Sequence, residues 1–386
     1  MKVLLVGQLP KDVGGNYTTG IAKVVYELSK QSIDGVEYSM YATNCKHTIA
    51  SALSTHKIKY YGYNYLLFKI IYNILGHPLR TIREWKVYKK CNVTPLRFEL
   101  YKANFQKVLE EVKPELVHFN GSGLAPMFFA NQNPHIPILY TCHGVFQRYK
   151  NPESLPKLYA DYLTGLTAET RREIHDFFCV TDDSKIFIIP NGVDTSKFYF
   201  SEIARKEVRQ LLGASDNTKV FITVASVQER KGQYDFIKIL EKLDIDYQYW
   251  IIGQGDDSEK IKAYCREHEL TNRVKLLGYH NSDELYKYYS AADIYAHAST
   301  MEGQALCEIE AYSTGLKCLV RNSIKGTIAK EELENGDYIF VDFYNPNMKE
   351  IISWVQDIPP KRTSRNNLDW TSVAEQYTAL YYKLTR

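Results

Sequence analysis

The run Ile294-Tyr-Ala-His297-Ala-Ser-Thr-Met-Glu302-Gly-Gln-Ala-Leu-Cys-Glu-Ile-Glu310-Ala-Tyr-Ser-Thr-Gly315-Leu-Lys-Cys-Leu-Val320 shows how this chain folds. Two short apolar runs, 294–297 and 317–320, have the composition of buried strands. Between them, 303–313 reads as a helix of about ten residues: Thr300 is suited to cap the loop-to-helix junction, and Gly315 reads as the left-handed stop. Strand, helix, strand in that order is a unit of a parallel sheet covered by helices. The same run sets Glu302 in the loop and Glu310 inside the helix. From those two heights they can accept paired hydrogen bonds from vicinal hydroxyls, which sugars and ribose both carry. The free N–H groups at the helix start suit an anion such as a diphosphate, and Gly303 lets a ligand approach the backbone. Two glutamates at this spacing on a helix are ordinarily a solvated face, so the rest of the chain must decide.

Outward from this run the alternation repeats. The strand-type runs of the second half are 220–225, 249–252, 274–277, 294–297 and 317–320, with helix-period segments at 234–243, 258–268, 282–291, 303–313 and around 330–334. In the first half the strands are 2–6, 37–42, 116–119, 138–141 and 187–189, with helices at 20–29 and 101–112. Two doubly wound sheets in series result. Pro190-Asn-Gly-Val-Asp194 punctuates the join, and the helix-prone segment 201–212 follows. The expected division is an N-terminal domain 1–190, a C-terminal domain 191–365, and a capped aromatic helix in 366–386 that packs back on the first domain. Ligands of such sheets sit outside the carboxyl ends of the strands, so two facing domains imply a cleft.

A chain of 386 residues, 45% apolar and 24% charged, suffices for two ordinary cores. The net charge of +3 gives no reason to expect nucleic acid. Its 7 cysteines are scattered, without a Cys-x-x-Cys pair, which argues against a disulfide framework or a Cys-rich zinc site. No uninterrupted apolar run is long enough to span a bilayer, and the N-terminal run reads as a strand rather than a signal peptide. The expected location is the cytoplasm, with attachment to the inner membrane surface left open.

The order Ile189-Pro-Asn-Gly-Val-Asp194, Lys231-Gly232, Ile252-Gly-Gln-Gly255, Leu277-Gly278 and Glu302…Glu310-Ala311 resembles the family 4 (group 1) retaining glycosyltransferases of the GT-B fold. The likeness is dense over 186–316, fair over 1–29 and 113–144, and poor over 30–112. It implies that Lys231 neutralises the donor diphosphate as the glycosidic bond breaks. Glu310 would hold the ribose hydroxyls and Glu302 the donor sugar, with backbone N–H groups of Gly303, Gln304, Ala305 and Leu306 on phosphate or sugar. His143, in Tyr140-Thr-Cys-His-Gly144, corresponds to a histidine that contacts the transferred sugar; the ordinary alternative is a structural imidazole. Gly20 belongs to the family's glycine loop and first helix. Gly14-Gly15 either shares that work or shapes the loop.

Departures from the pattern are as informative. Ser226 stands where the family often carries an arginine, leaving Arg230 to compensate or the helix N–H groups to carry more of the phosphate. His118-Phe-Asn120 replaces a strand-end His-x-His, and Cys307 replaces a proline. The resemblance implies a nucleotide-diphosphate-sugar donor, UDP-linked by family frequency, a glycan or lipid-linked acceptor in cell-surface polysaccharide synthesis, retention at the anomeric carbon, and neither metal nor other cofactor. Segment 56–102 interleaves basic and aromatic residues and suits an anionic membrane surface; the alternative is a helical cover over the first sheet. Two rival readings are a nucleotide-sugar epimerase of the same fold and a non-catalytic sugar-nucleotide-binding module. A Rossmann dehydrogenase is disfavoured because Gly253-Gln-Gly255 lacks the third glycine of the dinucleotide fingerprint.

Overall fold

The computed structural model describes the chain except residues 16–19, 32, 56–57, 64–70, 72–73, 83–94, 122–134, 145–159, 179, 334–335 and 359–362. The chain divides into two compact units, Met1–Asn191 with Trp370–Arg386, and Gly192–Asp369.

The first unit holds strands β1 (Lys2–Gly7), β2 (Glu37–Lys46), β3 (Lys59–Tyr63), β4 (Leu116–Asn120), β5 (Ile138–Cys142), β6 (Tyr162–Gly165) and β7 (Ile186–Ile188). Among the described residues they form one sheet in the order β3-β2-β1-β4-β5-β6-β7, with every pairing parallel. The second unit holds β8 (Lys219–Val224), β9 (Tyr247–Ile252), β10 (Val274–Gly278), β11 (Ile294–His297), β12 (Lys317–Arg321) and β13 (Tyr338–Val341). Their order is β10-β9-β8-β11-β12-β13, again all parallel. In each sheet the winding reverses once, between β1 and β4 and between β8 and β11. Such a switch point opens a crevice at the carboxyl ends of its two strands.

The strands read as continuous apolar runs because both faces of each sheet are covered. Along β8, Val220, Ile222 and Val224 pack in one layer with Trp250 and Ile252 of β9. Phe221 packs in the opposite layer with Tyr249 and Ile251. This is the two-residue alternation of a strand serving two cores. The first unit is built the same way around Leu4, Val6, Phe119 and Tyr140.

The helix Trp370–Thr385 groups with the first unit. Tyr381 Oη lies 2.8 Å from His118 Nδ1 in the middle of β4, and Tyr377 Oη 3.3 Å from Thr141 Oγ1 on β5. Residues 366–369 stay with the second unit, for a local reason. The Val193 N–H donates to the Leu368 carbonyl at 2.8 Å, and the Thr195 hydroxyl donates to Asp369 Oδ2 at 2.6 Å.

Three strands lie outside the sequence reading. β6 and β13 are four residues each, too short for a periodic signal. β3 falls inside the basic aromatic segment, and its Tyr60 and Tyr61 are buried, so part of that segment is sheet rather than exposed surface. Much of the remainder of 56–102 lies outside the described residues.

Candidate functional site

In the second unit the site is built from the two strands that flank the switch point. After β8 the chain forms a tight turn, Glu229–Lys231, closed by Gly232 at φ 69°. A Cβ on Gly232 would lie 2.1 Å from the Ala298 carbonyl oxygen, so only glycine lets this turn rest on the chain leaving β11. The Thr300 N–H and hydroxyl both donate to the Arg230 carbonyl, at 2.8 and 3.2 Å. Arg321, at the end of β12, donates through Nε to Ala298 O at 2.8 Å and pairs with Asp235 at 2.7 Å. Two sequence-distant loops are thereby tied into one corner. Thr300 does this rather than capping the following helix, which runs Leu306–Ser313 behind an uncapped Ala305.

Within that corner the Lys231 ammonium donates to Glu302 Oε1, and Arg230 Nη1 stands 3.5 Å from the same oxygen. Burial alone would raise the Glu302 pKa; the Lys231 charge overrides it and holds the carboxyl below its usual range. Glu302 is therefore an anion paired with Lys231, and with Arg230 beside it the corner holds two cations against one carboxylate, a net positive charge that suits an anionic ligand. The stretch 303–306 leads from Glu302 to the helix start. The Gln304 side chain is turned inward, its Nε2 3.4 Å from Glu332 Oε2, so the backbone of this stretch is what remains for a ligand. One helix turn below, Glu310 is buried, and the Tyr289 hydroxyl stands 3.3 Å from its Oε2 and 3.2 Å from the Cys307 carbonyl oxygen. Gly315 ends that helix with φ 85°, as read from the sequence.

Sequence reasoning missed His297, the last residue of β11. It is buried, and among the described residues its Nδ1 has no hydrogen-bond partner. Burial pushes its pKa down to about 4, so the ring is neutral; Glu302 and Lys231 act on it in opposite directions. Its place at a strand end beside the switch point was the available signal. The tripeptide Asp244-Ile-Asp246 lies at the opposite, amino-terminal end of the parallel strands, just before β9, where Asp246 accepts from the Thr218 hydroxyl at 2.6 Å. Among the described residues no group of three or more His, Cys, Asp or Glu is arranged to hold a metal ion.

In the first unit, His143 follows β5, with Nε2 3.2 Å from Asn120 Oδ1 at the end of β4. It keeps partial solvent access, yet burial lowers its pKa to about 4. His118 is fully enclosed, bonded to Tyr381 through Nδ1 and to Thr141 through Nε2 at 2.7 Å; burial first and His143 second lower its pKa to about 3. It is a neutral anchor for the C-terminal helix. Gly20 is the exposed first residue of the helix Gly20–Lys30; residues 16–19 before it lie outside the described residues. Gly15 shapes the loop: a Cβ there would lie 1.8 Å from the Leu9 carbonyl oxygen.

The family model described as "Glycosyl transferases group 1" matches residues 204–367, and that described as "Glycosyltransferase Family 4" matches residues 18–197. The chain belongs to the group 1, family 4 glycosyltransferases. Among curated proteins this glycosyltransferase is similar to the alpha-monoglucosyldiacylglycerol synthase of Acholeplasma laidlawii, 25% identical over 68% of this chain and 71% of that one. It is also similar to the Escherichia coli UDP-Gal:alpha-D-GlcNAc-diphosphoundecaprenol alpha-1,3-galactosyltransferase, 29% identical over 56% and 60%. Among solved structures it matches Anabaena HepE in complex with UDP and glucose, TM-score 0.69, 17% identical, over the full length of both chains. It also matches a glycosyltransferase from Rickettsia africae, TM-score 0.73, 16% identical, over 100% of this chain and 98% of that one. These last two likenesses establish the GT-B fold.

Proposed function

We propose that this glycosyltransferase takes a sugar from a nucleotide-diphosphate sugar, a UDP-sugar foremost, and passes it with retention and without a metal to a glycan or lipid-linked acceptor in cell-surface polysaccharide or glycolipid synthesis. The observation that carries this is the corner of Lys231, Arg230 and Glu302 beside the switch point, with Glu310 below it. Cations at the site of the departing diphosphate stabilise the charge that develops as the glycosidic bond breaks, and this is the main catalytic term. Glu302 accepts donor-sugar hydroxyls, Glu310 the ribose hydroxyls, and the backbone N–H groups of 303–306 bind phosphate. No side chain is assigned as a nucleophile; the leaving phosphate takes the acceptor's proton. His143, neutral at working pH, is a hydrogen-bonding partner for the transferred sugar.

The choice of donor and acceptor is supported by the relatives. The Escherichia coli enzyme's name specifies UDP-Gal and a diphosphoundecaprenol acceptor, and the Acholeplasma enzyme's name a glycosylated diacylglycerol. Screening a panel of UDP-, ADP- and GDP-sugars for donor hydrolysis and thermal stabilisation tests the reading. Stabilisation and slow hydrolysis by one or a few donors is the expected result. An isomerised donor formed without acceptor would replace it with the epimerase reading, and binding without turnover with the silent module.

Membrane contact is a further part of the proposal. Among the described residues no helix is long and apolar enough to cross a membrane. Leu75 and Leu79, however, are 74% and 82% exposed, with Ile71 and Ile82 also exposed and Arg80 alongside. Apolar side chains beside a cation suit the surface of an anionic bilayer. Flotation with anionic liposomes at low salt tests this, and absence of binding overturns it.

A further inference from the structure

Behind the donor stretch lies a second pair of carboxylates that the reaction does not use. Glu308, on the helix Leu306–Ser313, and Glu332, on the short helix Lys330–Leu333, are both 0% exposed. The Tyr338 hydroxyl from β13 contacts Glu308 Oε1 and stands 3.0 Å from Glu332 Oε1. Glu332 Oε2 accepts two more hydrogen bonds, from the Ala329 N–H at 2.9 Å and from Gln304 Nε2 at 3.4 Å. Among the described residues Glu308 Oε2 has no hydrogen-bond partner.

A phenol carries one proton and cannot donate to two carboxylates at once. Satisfying both contacts requires a second proton on one of the acids. Glu332, with two N–H donors on one oxygen, is the better anion. Glu308, with an oxygen that no donor serves, is the better acid. The surrounding groups agree. Cys318 on β12 and Tyr295 on β11 are themselves kept neutral by burial, and the Arg365 guanidinium that acts on Cys318 is committed to Asp337 at 2.7 Å. No described cation is paired with either acid, and two adjacent buried anions without one are strongly disfavoured. Burial first and Glu332 second raise the Glu308 pKa well above its usual value, and burial raises that of Glu332 as well.

We propose that Glu308, holding a proton, and Glu332, holding a charge, are positioning residues that fix Gln304 and with it the 303–306 backbone for the donor's diphosphate. The inference rests on the donor-site reading above. Gln304 is the mechanical link: its backbone belongs to the donor stretch and its amide is held by Glu332. Raising the pH through the raised pKa of the pair strips the shared proton. Two anions then face each other in the core, Tyr338 can serve only one of them, and the Gln304 tether loosens. Donor affinity falls on the alkaline side while the Lys231–Glu302 corner keeps its charges.

The test is calorimetric titration with UDP at about pH 6.5 and about pH 9, on wild type, Glu308→Gln and Glu332→Gln. A glutamine at 308 donates to Glu332 at every pH, as the protonated acid does only below its pKa. The expected result is that wild type loses roughly tenfold more UDP affinity across this range than Glu308→Gln, the size of one pKa unit of coupling. Equal losses in wild type and Glu308→Gln overturn the inference and leave the donor site standing, even if the variant melts at a lower temperature. Should Glu308→Gln fail to fold, the same comparison is read from Glu332→Gln, whose amide can likewise replace the shared proton. If wild type binds neither UDP nor ADP at either pH, it is the donor-site reading that falls.

Discussion

The two units end their switch-point strands in opposite chemical materials. After β8 and β11 the second unit places formal charges: Lys231 on Glu302, Arg230 at 3.5 Å, and a carboxylate held ionised against burial. After β4 and β5 the first unit places neutral groups: His143 against Asn120, and behind them His118 among Thr141, Tyr377 and Tyr381. Among the described residues, the side chains that follow the switch-point strands are thus charged in one unit and neutral in the other. The difference is what the proposed roles require. A diphosphate leaving group calls for cations, whereas hydroxyl-bearing sugars are best met by neutral donors and acceptors that cost less to desolvate.

The comparison can be broken most readily at Lys231. Lys231→Ala is expected to lower kcat/KM for the donor by about a hundredfold, the range seen when one electrostatic stabiliser is removed. A parallel Lys231→Ala/Glu302→Gln variant shows whether part of the loss is the stranded carboxylate, and wild-type rates in both would remove the charged crevice from the mechanism. Glu310→Ala is expected to cost at least about tenfold, mainly in donor affinity, because a carboxylate accepting two ribose hydroxyls is lost; an intact melting transition shows that the helix survives. His143→Ala should lower kcat by roughly tenfold while leaving UDP affinity within about twofold, a split that assigns the neutral crevice to the sugar rather than the nucleotide.

Two smaller effects sharpen the contrast. His118, His143 and His297 have folded pKa values of about 3 to about 4 against 6.5 for the free side chain. Below pH 6.5 the unfolded chain binds protons that the folded chain refuses, so their stabilisation is present above the unfolded value and lost as pH falls toward about 4. Denaturant midpoints measured across this window should decline with acid, and the imidazole proton resonances should show no titration near neutrality. Tyr381→Phe, which removes one hydroxyl from the His118 network, is expected to cost about 1 kcal/mol of stability without changing donor kinetics.

Much of this was legible in the sequence, because its signals are local. A strand buried on both faces is a run of four to six apolar residues whatever its neighbours are, and 220–225, 249–252 and 294–297 could be read one at a time. β6 and β13 escaped because four residues carry too little pattern, and β3 because Tyr60 and Tyr61, which are buried, sit among lysines. At the site, Lys231, Glu302 and Glu310 were legible through motif order, whereas Thr300 was misread. As a residue type it suits a cap, but the carbonyl it serves belongs to Arg230, 70 residues away. His297 offered only its place at a strand end, and the Glu308–Glu332 pair has no local signature.

Residue order by itself determined that there are two wound sheets, which strand ends carry the candidate site, and which lysine and glutamates are proposed for it. These follow from the short-range periodicity of buried strands and from glycines that permit turns. Only the tertiary structure decided which charge meets which: that Lys231 lies on Glu302, that Arg321 ties the end of β12 to that corner, that His118 is given to the C-terminal helix, and that two glutamates share one phenol behind the donor stretch. Electrostatic partnership depends on distance in space and on how much water is excluded, and a linear sequence records neither.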